Sequence, residues 1–243
     1  MVNGFFSQND PLTGSSLGGY LLRTSNNNES IYSTNPDLGM TSVAKGMTLQ
    51  TAQTFDNFMT SELTNFLYAS ISNNFAFGSD LAARNIQRGR DTGLSGWYFY
   101  RKACTGSAPK NWGSRPKDIS RSNWAKLQSL YVSVQDIDLV TGSLAEDPLP
   151  GAVLGSTSSC IATEQFKRLV SGDRYFFLHG QNVGAGFTQP QVDALRNVKM
   201  FDILCLNTNI NSLQRKAFKP ASFNGNPLVS CSNAAGIDVR LFL

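Results

Sequence analysis

Apolar side chains recur along this chain mostly at spacings of three and four. Phe55, Met59, Leu63, Phe66 and Leu67 form one stripe, which predicts a helix over 49–71. Ser79 is placed to cap a second helix over 80–90, which Gly93 would end. A third, short helix is expected over 95–103. Trp124, Leu127 and Tyr131 share a face in a helix over 121–131, and Ala162, Phe166, Leu169 and Val170 predict a buried stripe in a helix over 159–171. Near the C-terminus, Thr188, Pro190 and Gln191 make a capping box with proline in the first turn, flanked by a Phe187–Val192 staple; that helix runs to Asn197.

Between these segments the pattern breaks down. Residues 1–47 are rich in Asn, Ser, Gly and Thr and read as loop with short helical turns. Residues 105–118 read as a surface loop and 133–158 as irregular structure. The tail from 206 is again Asn-, Ser- and Gly-rich, with a strand expected at Ile237–Phe242. There is no internal repeat. The alternation that an extended sheet requires is missing, so the expected fold class is mainly α with long irregular loops.

With 243 residues, 41% of them hydrophobic, the chain is neither disordered nor too short for a good core. No apolar run approaches the ~18 residues of a membrane-spanning helix. The net charge of +4 is mild, but its distribution is uneven. Residues 84–126 hold ten basic side chains (Arg84, Arg88, Arg90, Arg101, Lys102, Lys110, Arg115, Lys117, Arg121, Lys126) against Asp91 and Asp118. Such an excess suits an anionic partner. It also suits a solvated surface offset by the acidic residues 1–83.

Cys104, Cys160, Cys205 and Cys231 form no CxxC pair, which argues against a zinc ribbon or a redox dithiol. Taken alone they permit three pairings or four free thiols. His179 is the single histidine, and no GxSxG elbow is present, so neither a His-rich metal centre nor a hydrolase triad is indicated. Asn28-Glu29-Ser30 is a glycosylation sequon that weakly supports secretion. The opening residues MVNGFFSQNDPL do not form a signal peptide.

The segment DLAARNIQRGRDTGLSG, residues 80–96, carries the most chemistry. Asn85 and Arg88 fall three apart on one helical face, and Arg84 shares that face with Arg88. Such a face can present an amide and guanidinium forks to an anionic ligand, or serve only as a solvated basic surface. Extended to LAARNIQRGRDTGLSGWYFYRKAC, this stretch resembles the signature of the animal haem peroxidases, N-x-Q-R-x-R-D-H-G-L-P-G-Y followed by Y/W-R-x-x-C. Thr92 stands where that family has His, Ser95 where it has Pro, and Trp97 where it has Tyr. VQDIDLVTGSLAEDPLPGAVLGSTSSCIATEQFKRLVSGDRYFF and DILCLNTNI are similar to further family motifs in the same order. The resemblance runs from about Gly46 to Cys231, some 80% of the chain.

The resemblance implies the C-terminal part of the family's helical catalytic domain, one partial domain over 1–243. It implies haem as cofactor, hydrogen peroxide and small electron donors as partners, and peroxide-dependent oxidation of halide, phenol or tyrosyl substrates. Asn85 takes the place of the Asn that hydrogen-bonds the proximal His ligand, and Arg88 that of an Arg pairing with a haem propionate. Leu81 would pack on the proximal side, and Arg84 receives no role. The family's disulfides would be Cys104–Cys160 and Cys205–Cys231, which imply an extracellular or secretory-granule location.

The proximal His, the distal His and Arg, and the calcium loop would all lie upstream, in a missing N-terminal half. MVNGFF resembles the residues just after the family's ligand, so no catalytic residue is expected within this chain. His179 reads as a loop or surface histidine, and Asp136 and Asp138 as turn and cap residues. The competing readings are a non-catalytic peroxidase-like adhesion or assembly module, and an inactive truncated fragment. Nucleic-acid binding through Arg84–Lys126 is disfavoured, because aromatics preceding basic residues also describe an amphipathic helix.

Overall fold

Helices carry most of the regular secondary structure in the computed structural model, which describes residues 4–25, 29, 31, 36–179, 186–222 and 224–243. In chain order the elements are β1 (Phe5–Asn9), β2 (Ser16–Leu21), α1 (Leu22–Ser25), α2 (Pro36–Leu49), α3 (Ser61–Thr64), α4 (Leu81–Asp91), α5 (Trp97–Thr105) and α6 (Arg121–Leu130). They continue with α7 (Leu139–Ala145), α8 (Ser156–Gly172), α9 (Gln189–Asn197), α10 (Met200–Asn207), β3 (Ser212–Gln214) and β4 (Leu228–Ser230). The mainly α class is what the structure shows, with two small antiparallel hairpins, β1–β2 and β3–β4. The chain divides into two compact units, Gln53–Gly172 and Asn3–Ala52 with Asp173–Leu243.

The first unit is built around Trp97, Ile119, Trp124, Leu127, Val134, Ile137 and Ala145, all buried. The α4 helix starts at Asp80, whose carboxylate accepts from the Ala83 N–H at 3.1 Å; the cap is therefore one residue later than Ser79. Gly93 leaves the helix at φ +68, a conformation that favours glycine. At the start of α5, the Trp97 N–H bonds the Ile137 carbonyl at 2.8 Å. The chain can pass this closely because a Cβ on Gly96 would stand 2.7 Å from the Gln135 carbonyl. On α6, the Ser120 hydroxyl caps the Asn123 N–H, and Trp124 tilts against Trp112 with ring centres 5.0 Å apart. The Cys104–Cys160 disulfide ties α5 to α8.

Three expectations fail in this unit. Within 50–71 only Ser61–Thr64 is α-helical, Leu49 being the last residue of α2. The Asp56 carboxylate captures the Phe58 N–H, giving the chain an alternative to the helical ladder, and Thr60 caps a short helix that begins only at Ser61 by accepting from the Glu62 N–H. Residues 133–158 are not irregular throughout, since they contain α7, whose Gly142 backbone lies against the Trp97 ring. The α8 helix forms, but its stripe is not buried: Phe166 is 66% exposed and Leu169 53%. Thr157, in its first turn, is fully buried. Period reveals which side chains share a face, and only packing decides how far along the helix that face is covered.

The second unit also departs from its sequence pattern. Residues 5–21 form a hairpin with Phe5 opposite Leu21 and a bulge at Gln8/Asn9, and 36–49 is the long α2 helix, where loop with short helical turns was expected. Gly46 permits the contact between them, because a Cβ there would meet the Ser7 carbonyl. Lys45 on α2 is buried, its ammonium donating to the Ser212 carbonyl, and burial pushes its pKa down. Phe201, Ile210 and Leu213 form the small core, beside the Cys205–Cys231 disulfide.

At α9 the Gln191 side chain accepts from the Thr188 N–H at 2.7 Å, the expected capping box. Phe187 stands edge-on to Phe242. The expected strand at 237–242 is instead a 3₁₀ turn, Val239–Phe242, because Asp238 caps the Arg240 N–H. Asn28 lies outside the described residues.

Candidate functional site

Helix α4 divides its polar side chains sharply. Arg84 donates to the Ser79 hydroxyl at 2.6 Å and lies 5.7 Å from the Tyr68 ring centre. Gln87 donates to Asp91 at 2.7 Å, one turn on. Arg90 forks onto Asp138 with bonds of 3.0 and 2.7 Å. Asn85 and Arg88 are exposed, and neither side chain bonds another described residue. Leu81, one turn before Asn85, is half-buried. The three residues singled out by the sequence therefore share one face of a capped helix, and its two polar groups are free for a ligand.

Asn85 opens onto a cleft of about 1030 Å³ walled largely by aliphatic side chains, among them Ile86, Leu94, Val140, Leu154 and Ile161. A smaller hollow of about 240 Å³ also reaches Asn85 and Ile86. Leu81 and Arg88 do not line the larger cleft. In the same wall the Ser143 hydroxyl is buried without a partner among the described residues.

At the rim, the Tyr131 hydroxyl donates to Asp138 Oδ2 at 2.9 Å, so that carboxylate is held by Arg90 and Tyr131 together. Hydrogen bonding from Arg90 keeps Asp138 below its ordinary range, and burial pushes the Tyr131 phenol up.

A second cluster holds the wall in place. The Glu146 side chain is fully buried. It accepts from the Trp97 indole at 2.9 Å, from Arg101 at 2.7 Å, and from the Thr157 N–H at 2.8 Å and hydroxyl at 2.5 Å. Arg101 also bridges to Asp118 at 2.7 Å. Burial alone would raise the Asp118 pKa, but bonds from Arg101 and Ser156 outweigh it and leave it lowered. Sequence reading passed over this cluster, although Arg101 and Glu146 both lie inside quoted motifs. Only tertiary contact shows that they meet.

His179 belongs to the other unit. Its Nδ1 lies 3.2 Å from the Asp173 carbonyl and its ring stands edge-on to Phe176 at 5.5 Å, a half-buried loop histidine. Asp136 accepts from the Ser133 N–H and Asp138 begins α7, the expected turn and cap positions. Among the described residues no three His, Cys, Asp or Glu side chains gather as a metal site, and no helix is long and apolar enough to cross a membrane.

Asn85 thus offers a free amide to an aliphatic cleft, and Arg88, which does not line that cleft, offers a free guanidinium fork to an anionic group.

Comparison with known proteins gives the family. The family model described as animal haem peroxidase matches residues 5–218. A peroxidase of Drosophila melanogaster is 38% identical over 203 residues, covering 83% of this chain and 29% of that protein. Eosinophil peroxidase of Mus musculus is 35% identical, covering 73% of this chain and 24% of its own length. The solved structure of peroxidase A from Dictyostelium discoideum superposes with a TM-score of 0.71 at 26% identity, over 89% of this chain and 39% of that one. The fatty acid alpha-dioxygenase of Oryza sativa, at TM-score 0.56 and 19% identity, shares the fold. The chain thus spans less than a third of the Drosophila and mouse relatives' length, and on the match to most of its residues it belongs to the animal haem peroxidase family.

Proposed function

We propose that this chain forms the proximal wall of the haem site in a secreted peroxidase, with Asn85, Arg88 and Leu81 as its working residues. One observation carries the reading: of the polar side chains on α4, Asn85 and Arg88 alone lack a partner among the described residues. Haem, when bound, supplies the iron chemistry by which peroxide is reduced and halide, phenol or tyrosyl donors are oxidised.

The chain's own residues bind and orient. The Asn85 amide oxygen accepts the free N–H of the ligating imidazole, which fixes its tautomer and ring plane and raises its basicity. Arg88 holds a propionate through a charge-assisted fork. Leu81 keeps water from that side of the ligand. In this reading the ligating imidazole and the groups that split peroxide are supplied by another segment, and His179, a loop residue with its Nδ1 beside the Asp173 carbonyl, is not the ligand. The two disulfides support an oxidising, extracellular or granule setting.

The rival reading, a non-catalytic adhesion or assembly module, draws on Thr92, which replaces the family's His. Its hydroxyl merely closes α4 by donating to the Arg88 carbonyl at 2.7 Å. Haem titration in the presence of added imidazole separates the two. A saturable one-to-one Soret change that survives His179→Ala supports the haem wall. Absence of saturation supports the module, and loss of binding in His179→Ala overturns the role given to Asn85.

A further inference from the structure

The cluster of cations over 84–126 is not used up by the haem face. Arg84 and Arg90 are held on α4, and Arg101 is neutralised by Asp118 and Glu146. The remainder falls in and around the loop after α5. From Thr92 to Lys117 the sequence contains no Asp or Glu. That loop folds into a separate cleft of about 530 Å³ whose wall includes Ser107, Lys110, Ser114, Arg115 and Lys117.

The cleft is built rather than draped. Arg115 Nη1 donates to the Pro116 carbonyl at 3.0 Å and also to the Ile119 carbonyl, so this cation is pinned by neutral groups and keeps its charge uncompensated. Ser114 donates to the Asn111 carbonyl at 2.8 Å and accepts the Asn111 N–H, closing the turn between Lys110 and Arg115. The one carboxylate in the wall, Asp118, has both oxygens engaged, by Arg101 and by Ser156 at 2.8 Å. Lys110 and Lys117 are exposed and have no ion-pair partner among the described residues. Two exposed lysines, Lys110 and Lys117, therefore flank the half-buried Arg115 in one concavity with no free acid beside them.

We propose that this cleft binds the sulfate groups of an extracellular anionic glycan. The disulfides support the compartment in which such polymers are the abundant polyanions. A single-stranded nucleic acid would call for aromatic stacking platforms, and no aromatic side chain lines the cleft. The nearby Trp112 is spent on Trp124 and on the Val132 carbonyl. The cleft shares no residue with the haem face, and the choice of a glycan rests on the extracellular setting proposed above.

The test is binding of the full chain to heparin at several salt concentrations. The variants are Lys110→Ala/Lys117→Ala and the charge-matched control Lys167→Ala/Arg196→Ala, with circular dichroism to confirm folding. The cleft variant should bind at least tenfold more weakly at physiological salt. Its slope of log affinity against log salt should fall by about 2, one for each lost contact, with the control close to wild type. Equal losses in both variants would reduce the effect to net charge and overturn the site. Absence of wild-type binding at physiological salt would overturn it as well. Equal affinity for a single-stranded oligonucleotide would overturn the assignment to a glycan.

Discussion

Asn85 and Arg88 stand three residues apart on one face of α4 with both side chains unpartnered, while Arg84, Gln87 and Arg90 on the same helix are each held by a neighbour. A helix that merely solvated a surface would leave its polar side chains free without regard to face. Here the free groups are the ones that the haem-wall reading requires.

The anchoring of α4 to α7 through Arg90 and Asp138 carries a pH dependence. Hydrogen bonding from Arg90 leads the effects that lower the Asp138 pKa from 3.8. A depressed carboxylate contributes stability that is fully present above its unfolded pKa and is lost as pH falls through the folded value. Asp138→Asn should therefore lower stability near neutrality and flatten its loss below about pH 4. Tryptophan fluorescence during urea melts at pH 7, 4 and 3 measures this. Parallel curves for wild type and variant would contradict it.

Glu146 is the most consequential buried carboxylate. Glu146→Ala removes the acceptor of the Trp97 indole, Arg101 and Thr157, leaving the Arg101 guanidinium with Asp118 as its one carboxylate and the Ser156 hydroxyl. The expected cost is about 3–5 kcal/mol, read as a lower urea midpoint at unchanged slope. A loss under about 1 kcal/mol would mean that the cluster does not hold the wall.

Gly142 tests the packing beneath the site. A Cβ there would come within 2.2 Å of Trp97 Cγ, in a residue whose ring is fully buried. Gly142→Ala should destabilise the first unit by about 1–3 kcal/mol despite alanine's better helix propensity. A neutral or stabilising result would show that α7 does not press on Trp97.

Each disulfide closes a long loop, with sequence separations of 56 and 26. Chain-entropy estimates give about 3–4 kcal/mol apiece. Cys104→Ala/Cys160→Ala and Cys205→Ala/Cys231→Ala should each lower the thermal midpoint by several degrees under non-reducing conditions. A dithiothreitol-treated wild type that melts like the untreated protein would contradict this.

Much of the site was legible in sequence because its information is local. A cap, an i, i+3 pair and a terminal glycine place Asn85 and Arg88 on α4 to within a residue. Long polar stretches were the hardest to read. The α2 helix lies in a segment of Thr, Ser, Gly and Met that is weakly helical by itself, and it meets β1 at Gly46 and β3 through Lys45, neither of which marks a core position in a hydrophobicity pattern. The 49–71 stripe misled for the opposite reason: its apolar period was helical, while Asp56 captured the backbone and Thr60 capped a helix that starts only at Ser61. The exposed face of α8 and the Arg101–Glu146 cluster depend on contacts distant in sequence, which no local pattern encodes.

The most direct measurement is haem affinity, with imidazole supplied in solution, for the wild-type chain, Asn85→Ala, Arg88→Ala and Gln87→Ala. A haem wall predicts saturable Soret changes that weaken roughly tenfold in each of the first two variants, the scale on which ligand-orienting partners act, and that leave Gln87→Ala near wild type. Equal affinity in all four proteins would contradict the role assigned to Asn85 and Arg88.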